Sequence, residues 1–91
     1  MKKLLHFTAD WCNPCKRIKP LIDTYISDNP DIEYIAVDVD NNSTVAKQYE
    51  VLSIPTLIAV IDDVIISRHT GVATMNQIES LFDNTTQEVV E

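Results

Sequence analysis

Asp10-Trp11-Cys12-Asn13-Pro14-Cys15-Lys16 is the stretch on which the reading of this chain turns. Its cysteines are the only two in 91 residues, and two residues separate them. An apolar strand-like run with Leu4, Leu5 and Phe7 comes just before it. Ile18, Leu21, Ile22, Tyr25 and Ile26 follow at helical spacing. The pair therefore sits where a strand feeds the first turn of a helix. Unpaired backbone N–H groups and the positive end of the helix dipole stabilise an anion at such a place. A cysteine there prefers its thiolate form, with pKa values lowered into roughly the 3.5–7.5 range. Pro14 suits the first turn, where its missing N–H costs nothing. A second thiol one turn away can close a ring on the first, which is the arrangement of a redox dithiol.

Two other uses of the pair compete. A structural zinc site needs four ligands at characteristic spacings, and the chain offers only His6 and His69 besides the cysteines, far apart. A purely structural disulfide closing so small a ring would constrain the unfolded chain little. Redox chemistry, with no metal and no bound cofactor, is the expectation.

Working outward, residues 2–8 read as a first strand, with Leu5 and Phe7 on one face and Leu4 and His6 on the other. A helix is expected from about Cys12 to Ser27, kinked at Pro20 and ended by Asn29-Pro30, with Asn29 at the position just past the helix. Ile32–Val39 reads as a second strand. Asp40-Asn41-Asn42-Ser43 carries turn and N-cap chemistry for a short helix through Glu50 that buries Val45, Ala46 and Tyr49. Strand, helix, strand in this order implies a right-handed crossover and parallel pairing. Thr56–Ile61 reads as a fully buried strand. Asp62-Asp63 turns the chain into an antiparallel partner, Val64–His69. Thr74 and Gln77 form a capping box for a last helix with Ile78, Leu81 and Phe82 on its apolar stripe. The order is βαβαββα: an α/β fold with a four-stranded mixed sheet flanked by helices. One domain is expected over residues 1–84, followed by a polar tail, 85–91, in which Val89-Val90 could dock.

Composition narrows the class. An apolar fraction of 45% suits a globular domain. The formal charge of −7 disfavours nucleic acid and acidic membranes as partners. The apolar run after Met1-Lys2-Lys3 breaks at His6 and Asp10, and no stretch is long enough to span a membrane. With no further cysteines there is no disulfide scaffold, which suits a reducing cytoplasm. Lys16, Arg17 and Lys19 cluster beside the dithiol, where they read as a solvated helix face or as a charge that raises the thiolate fraction and orients an acidic partner.

Trp11-Cys12-Asn13-Pro14-Cys15-Lys16 resembles the active-site motif of the thioredoxin family, with Asn13 where that family usually has Gly. Ile54-Pro55-Thr56 resembles the family's cis-proline loop, and the resemblance runs over about residues 2–83. Larger members carry an additional N-terminal strand and helix ahead of this core. The resemblance implies a cis Ile54–Pro55 bond that exposes the Ile54 backbone to an extended substrate segment. Gly71, the only glycine in the chain, stands at the offset where the family places a glycine beside the dithiol. It is expected to need positive φ or close backbone approach. Trp11, Asn13, Pro14, Ile54, Pro55, Gly71 and Val72 are the expected substrate-binding residues, several of them forming a flat apolar patch around Cys12. Two departures stand out. Thioredoxins usually carry a buried aspartate where this chain has His6, often paired with a lysine where it has Ala36. Losing both together is physically coherent, because losing one would strand a buried charge. An unperturbed histidine titrates near neutrality, so His6 is expected to move protons for Cys15.

The resemblance implies a monomeric thiol–disulfide oxidoreductase that reduces protein disulfides through Cys12 and Cys15, with electrons from an NADPH-dependent flavin thioredoxin reductase. Such a protein serves electron transport and cell redox homeostasis. Two alternatives stay open: a glutaredoxin-like protein recycled by glutathione, and a docking subunit that uses the fold without its thiols.

Overall fold

Alternation along β1 (Lys2–Thr8) sorts the core into two layers, because successive side chains of a strand point to opposite faces. The computed structural model of the chain describes residues 1–83. Leu4 packs on one face of the sheet with Ile18, Ile22 and Tyr25 of α1 (Asn13–Asp28) and Ile78 of α3 (Met75–Ser80). Leu5 and Phe7 pack on the other with Ala46 of α2 (Ser43–Gln48) and Val37 of β2 (Ile32–Asp38). Each fully buried side chain of this size contributes roughly 1.5–3 kcal/mol relative to leaving it in water.

The four-stranded sheet has the order β2-β1-β3-β4. β1 and β2 are parallel, as the helical crossover demands, while β3 (Thr56–Ile61) runs antiparallel to both β1 and β4 (Val64–Thr70). The βαβαββα order, the mixed sheet and the facing of β1 are those read from the sequence. Asp62 and Asp63 both take positive φ, 52° and 68°, the conformation a two-residue hairpin loop requires and one that aspartate tolerates. The capping box is formed in both directions: the Thr74 hydroxyl accepts from the Gln77 N–H at 3.2 Å and the Thr74 N–H donates to Gln77 Oε1 at 2.8 Å.

Two local expectations are revised. Asn29 is the C-cap of α1 itself, at φ −132°, and its side-chain amide donates to the Tyr25 carbonyl at 2.8 Å. Asn42 is the N-cap of α2, yet its side chain makes no capping bond. It turns back and donates to the Asp38 carbonyl at 3.1 Å, while Asp38 Oδ1 accepts from the Asp40 N–H at 2.9 Å. Local side-chain to backbone bonds thus outcompete the cap. Pro20 lies inside α1, as the expected span had it. The expected polar tail, 85–91, with Asn84 and the Val89-Val90 docking, lies outside the described residues.

Candidate active site

Cys12 is the N-cap of α1, with φ −88° and ψ 100°, and the helix proper begins at Asn13, with Pro14 in its first turn. The cap is made by sulfur: Cys12 Sγ accepts the backbone N–H of Cys15 at 3.2 Å. A side chain that satisfies an orphan donor of the first turn is what an N-cap provides. The Cys12 N–H in turn donates to the Ala9 carbonyl at 3.1 Å, which ties the strand–helix junction down. The two cysteines are joined as a disulfide, with Cα atoms 5.3 Å apart. Both are buried, packed with Ala9 and edged by Val39 and Ile54. Asn13 is exposed and Pro14 half-buried.

The Ile54–Pro55 peptide is cis, as the resemblance implied. Thr56 clamps this loop by donating its hydroxyl to the Ser53 carbonyl at 2.7 Å. The Gly71 N–H donates to the Pro55 carbonyl at 2.8 Å. Gly71 has φ +98°, and a Cβ built on it meets no atom within 4 Å. Of the two reasons proposed for this glycine, conformation is the operative one and crowding is not.

The expected flat patch needs redrawing. Pro55 is fully buried and contributes no surface. Trp11 is 65% exposed and Val72 53% exposed. Trp11 and Ile54 line a groove of about 380 Å³ together with Val39, Val51 and Leu52. Leu52, 98% exposed, escaped the sequence reading, although an apolar Val51-Leu52 pair in a loop belongs to neither a helical nor a strand pattern. Asp40 escaped it too. Trp11 Nε1–H donates to Asp40 Oδ2 at 2.9 Å, bridging the motif to the turn that follows β2. A lone exposed apolar side chain is ordinary, but a contiguous apolar groove beside a reactive pair is a surface for binding.

Below the disulfide, His6 is 2% exposed. It lies opposite Ala36 of β2 and Leu57 of β3 in the sheet register, neither of which offers a polar partner. Its Nδ1 is 2.9 Å from the Tyr34 hydroxyl, and Nε2 has no hydrogen-bond partner among the described residues. Burial, and then the nearby Lys19 charge, lower its pKa to about 4. Desolvation penalises the charged imidazolium, and a second cation penalises it further. The expected titration near neutrality is therefore corrected: this imidazole is neutral across the physiological range. Lys19 is held by Asp23 at 2.6 Å and lies 5.3 Å from the centre of the Tyr34 ring. Lys16 and Arg17 are exposed. Among the described residues no three His, Cys, Asp or Glu side chains are grouped to ligate a metal, and no helix is long and apolar enough to cross a membrane.

Comparison with known proteins gives one answer. The family model described as Thioredoxin matches residues 1–84. The thioredoxin of Mycoplasmoides gallisepticum is 32% identical over 81 residues, 89% of this chain and 81% of that protein. The thioredoxin of Chlamydia trachomatis is 38% identical over 68 residues, 75% of this chain and 67% of that protein. The oxidized form of mitochondrial thioredoxin 3 from Saccharomyces cerevisiae superposes with a TM-score of 0.83 at 30% identity, covering 90% of this chain and 77% of that one. A helix-capping dithiol beside a cis-proline loop, on a sheet and sequence shared at this level, means that the chain belongs to the thioredoxin family and is a thiol–disulfide oxidoreductase.

Proposed function

We propose that the protein reduces disulfides of other proteins, with Cys12 as nucleophile and Cys15 as resolving thiol. The observation that carries this is the Cys12 sulfur acting as the cap of α1, one turn from Cys15 and beside the groove lined by Trp11 and Ile54. In the reduced protein, the Cys12 thiolate attacks one sulfur of the substrate disulfide. That S–S bond breaks, and the other substrate sulfur leaves as a thiolate and takes a proton from water. Cys15, once deprotonated, attacks Cys12, breaks the mixed disulfide and releases the second substrate thiol. Two electrons have left the pair, which ends as the Cys12–Cys15 disulfide.

Trp11, Leu52, Ile54 and Val72 supply the apolar contact for the segment around the substrate disulfide. Gly71 and the backbone of Ile54 supply the place for an extended strand. Asn13 and Pro14, at the mouth of the helix, set how well the thiolate is stabilised. Pro55 acts from within by shaping the loop. His6, neutral and lining one cavity with Cys15, assists the resolving thiol without taking its proton. Electrons come from an NADPH-dependent flavin thioredoxin reductase, and the protein works as a monomer in a reducing cytoplasm.

The test is trapping and turnover of a model protein disulfide such as insulin. Cys15→Ser should accumulate a mixed disulfide through Cys12 that a thiol reductant releases, and Cys12→Ser should abolish both trapping and turnover. Full turnover by either variant would overturn the assignment. Supplying NADPH with thioredoxin reductase, or glutathione in its place, decides between the proposed donor and glutaredoxin-like recycling.

A further inference from the structure

His6, Cys15, Tyr34 and Lys19 line one cavity of about 200 Å³, together with Asp10 and Lys16. We propose that Tyr34 is a positioning residue that holds His6 in the tautomer with its proton on Nε2, so that this N–H donates to the Cys15 sulfur when the pair is reduced. The proposal rests on the reading of Cys15 as the resolving thiol, and names the group that assists it.

The argument starts from the hydrogen-bond inventory. A neutral imidazole has one donor nitrogen and one acceptor nitrogen, and the bond made by one decides the state of the other. Nδ1 meets the Tyr34 hydroxyl at 2.9 Å. A phenol is a good donor toward an imidazole nitrogen, and its oxygen, conjugated to the ring, is a poor acceptor. Tyr34 is moreover kept protonated, with its pKa pushed up to about 12 by burial and by the Asp23 charge. The bond therefore runs from the tyrosine O–H to Nδ1, and the ring proton lies on Nε2.

Nε2 is the buried side-chain atom that finds no acceptor among the described residues. Leaving a buried donor unsatisfied is costly, so such a group calls for an explanation. The sulfur of a disulfide is a weak acceptor. Reduction puts a thiol, and then a thiolate, at Cys15, and hydrogen bonds to an ionised acceptor are roughly twice as strong as neutral ones. The orphan donor of the oxidised form thus has a partner waiting in the reduced form. The same polarity argues against His6 as the base that takes the Cys15 proton. With its pKa near 4, it would have to accept from a thiol several units higher. The charged groups around the cavity fit a neutral donor as well. Lys19 on α1 disfavours imidazolium, and Lys16 and Asp10 are the other charged side chains that line the cavity.

Tyr34→Phe keeps the ring and removes the O–H. Two readouts test the idea on the full chain. In the wild-type protein, 15N chemical shifts of His6 at neutral pH should show Nε2 protonated and Nδ1 bare, and Tyr34→Phe should give a mixture of tautomers. In the reduced protein, thiolate absorbance against pH should place Cys15 about one pKa unit higher in Tyr34→Phe and in His6→Leu than in the wild type, about a tenfold loss of thiolate at fixed pH. A wild-type imidazole protonated on Nδ1 would overturn the proposal even if Tyr34→Phe fails to fold. So would an unchanged Cys15 titration in a folded variant. Failure of the underlying reading shows up separately, as turnover retained by Cys15→Ser.

Discussion

The Gly71 N–H donates to the Pro55 carbonyl at 2.8 Å, so a single backbone hydrogen bond joins the two loops that flank the dithiol. This bond sets the end of β4 against the start of β3, with Val72 on one loop and Ile54 on the other. The glycine that makes this bond stands at φ +98° with open space around it.

Gly71→Ala should accordingly destabilise the protein by about 1–2 kcal/mol, the cost of placing an L side chain at positive φ. Urea unfolding measures the change. No neighbour crowds the position, so the loss is one of backbone conformation. Gly71→Asn should therefore recover part of it, since asparagine tolerates the left-handed region. Equal losses for Ala and Asn would mean that packing rather than backbone conformation decides this site.

The Trp11–Asp40 bond, 2.9 Å and solvent-exposed, fixes the indole of a residue that is otherwise free to swing. Asp40→Ala should change stability by less than about 0.5 kcal/mol, as is usual for an exposed position. It should lower kcat/KM for protein disulfides by up to about tenfold, the value of one net hydrogen bond. Insulin reduction kinetics and Trp11 fluorescence report the two effects. Unchanged kinetics with altered fluorescence would remove Trp11 orientation from the substrate contact.

Buried neutral His6 makes the oxidised fold acid-sensitive. Its folded pKa, about 4, lies below the unfolded value near 6.5. The unfolded chain therefore binds more protons between those limits, and stability falls as pH falls through that window. The contribution is complete above pH 6.5 and amounts to up to about 3 kcal/mol, lost on descending to about pH 4. Urea midpoints at several pH values should show this dependence in the wild type and a flatter curve in His6→Leu.

Cys12 in the reduced protein should react with iodoacetamide at neutral pH faster than an ordinary free thiol, with an apparent pKa well below about 8.5. Cys15, buried a turn into the helix, should react slowly. Mass spectrometry after partial alkylation assigns each rate. Equal reactivity of the two sulfurs would remove the helix-end stabilisation on which the nucleophile depends.

The amino-acid sequence by itself determined what near neighbours can carry. The Cys12–Cys15 spacing before the periodic run Ile18, Leu21, Ile22 places the pair at a helix start. Alternation sends Leu5 and Phe7 to one layer and Leu4 and His6 to the other. Thr74 and Gln77 announce the last helix three residues apart. These signals work because helix caps, turns and side-chain periodicity depend on contacts within one or two turns of chain. What the tertiary structure alone decided are pairings across long separations: His6 with Tyr34, 28 residues apart, and Trp11 with Asp40, 29 apart. The burial of Pro55, the exposure of Leu52 and the sheet order β2-β1-β3-β4 belong with them. Each depends on which strands lie side by side and in what register, and a one-residue slip would redirect every side chain involved. The identity of His6 announced a polar group near the dithiol, but its low pKa came from the burial and the lysine that only packing α1 onto the sheet could bring.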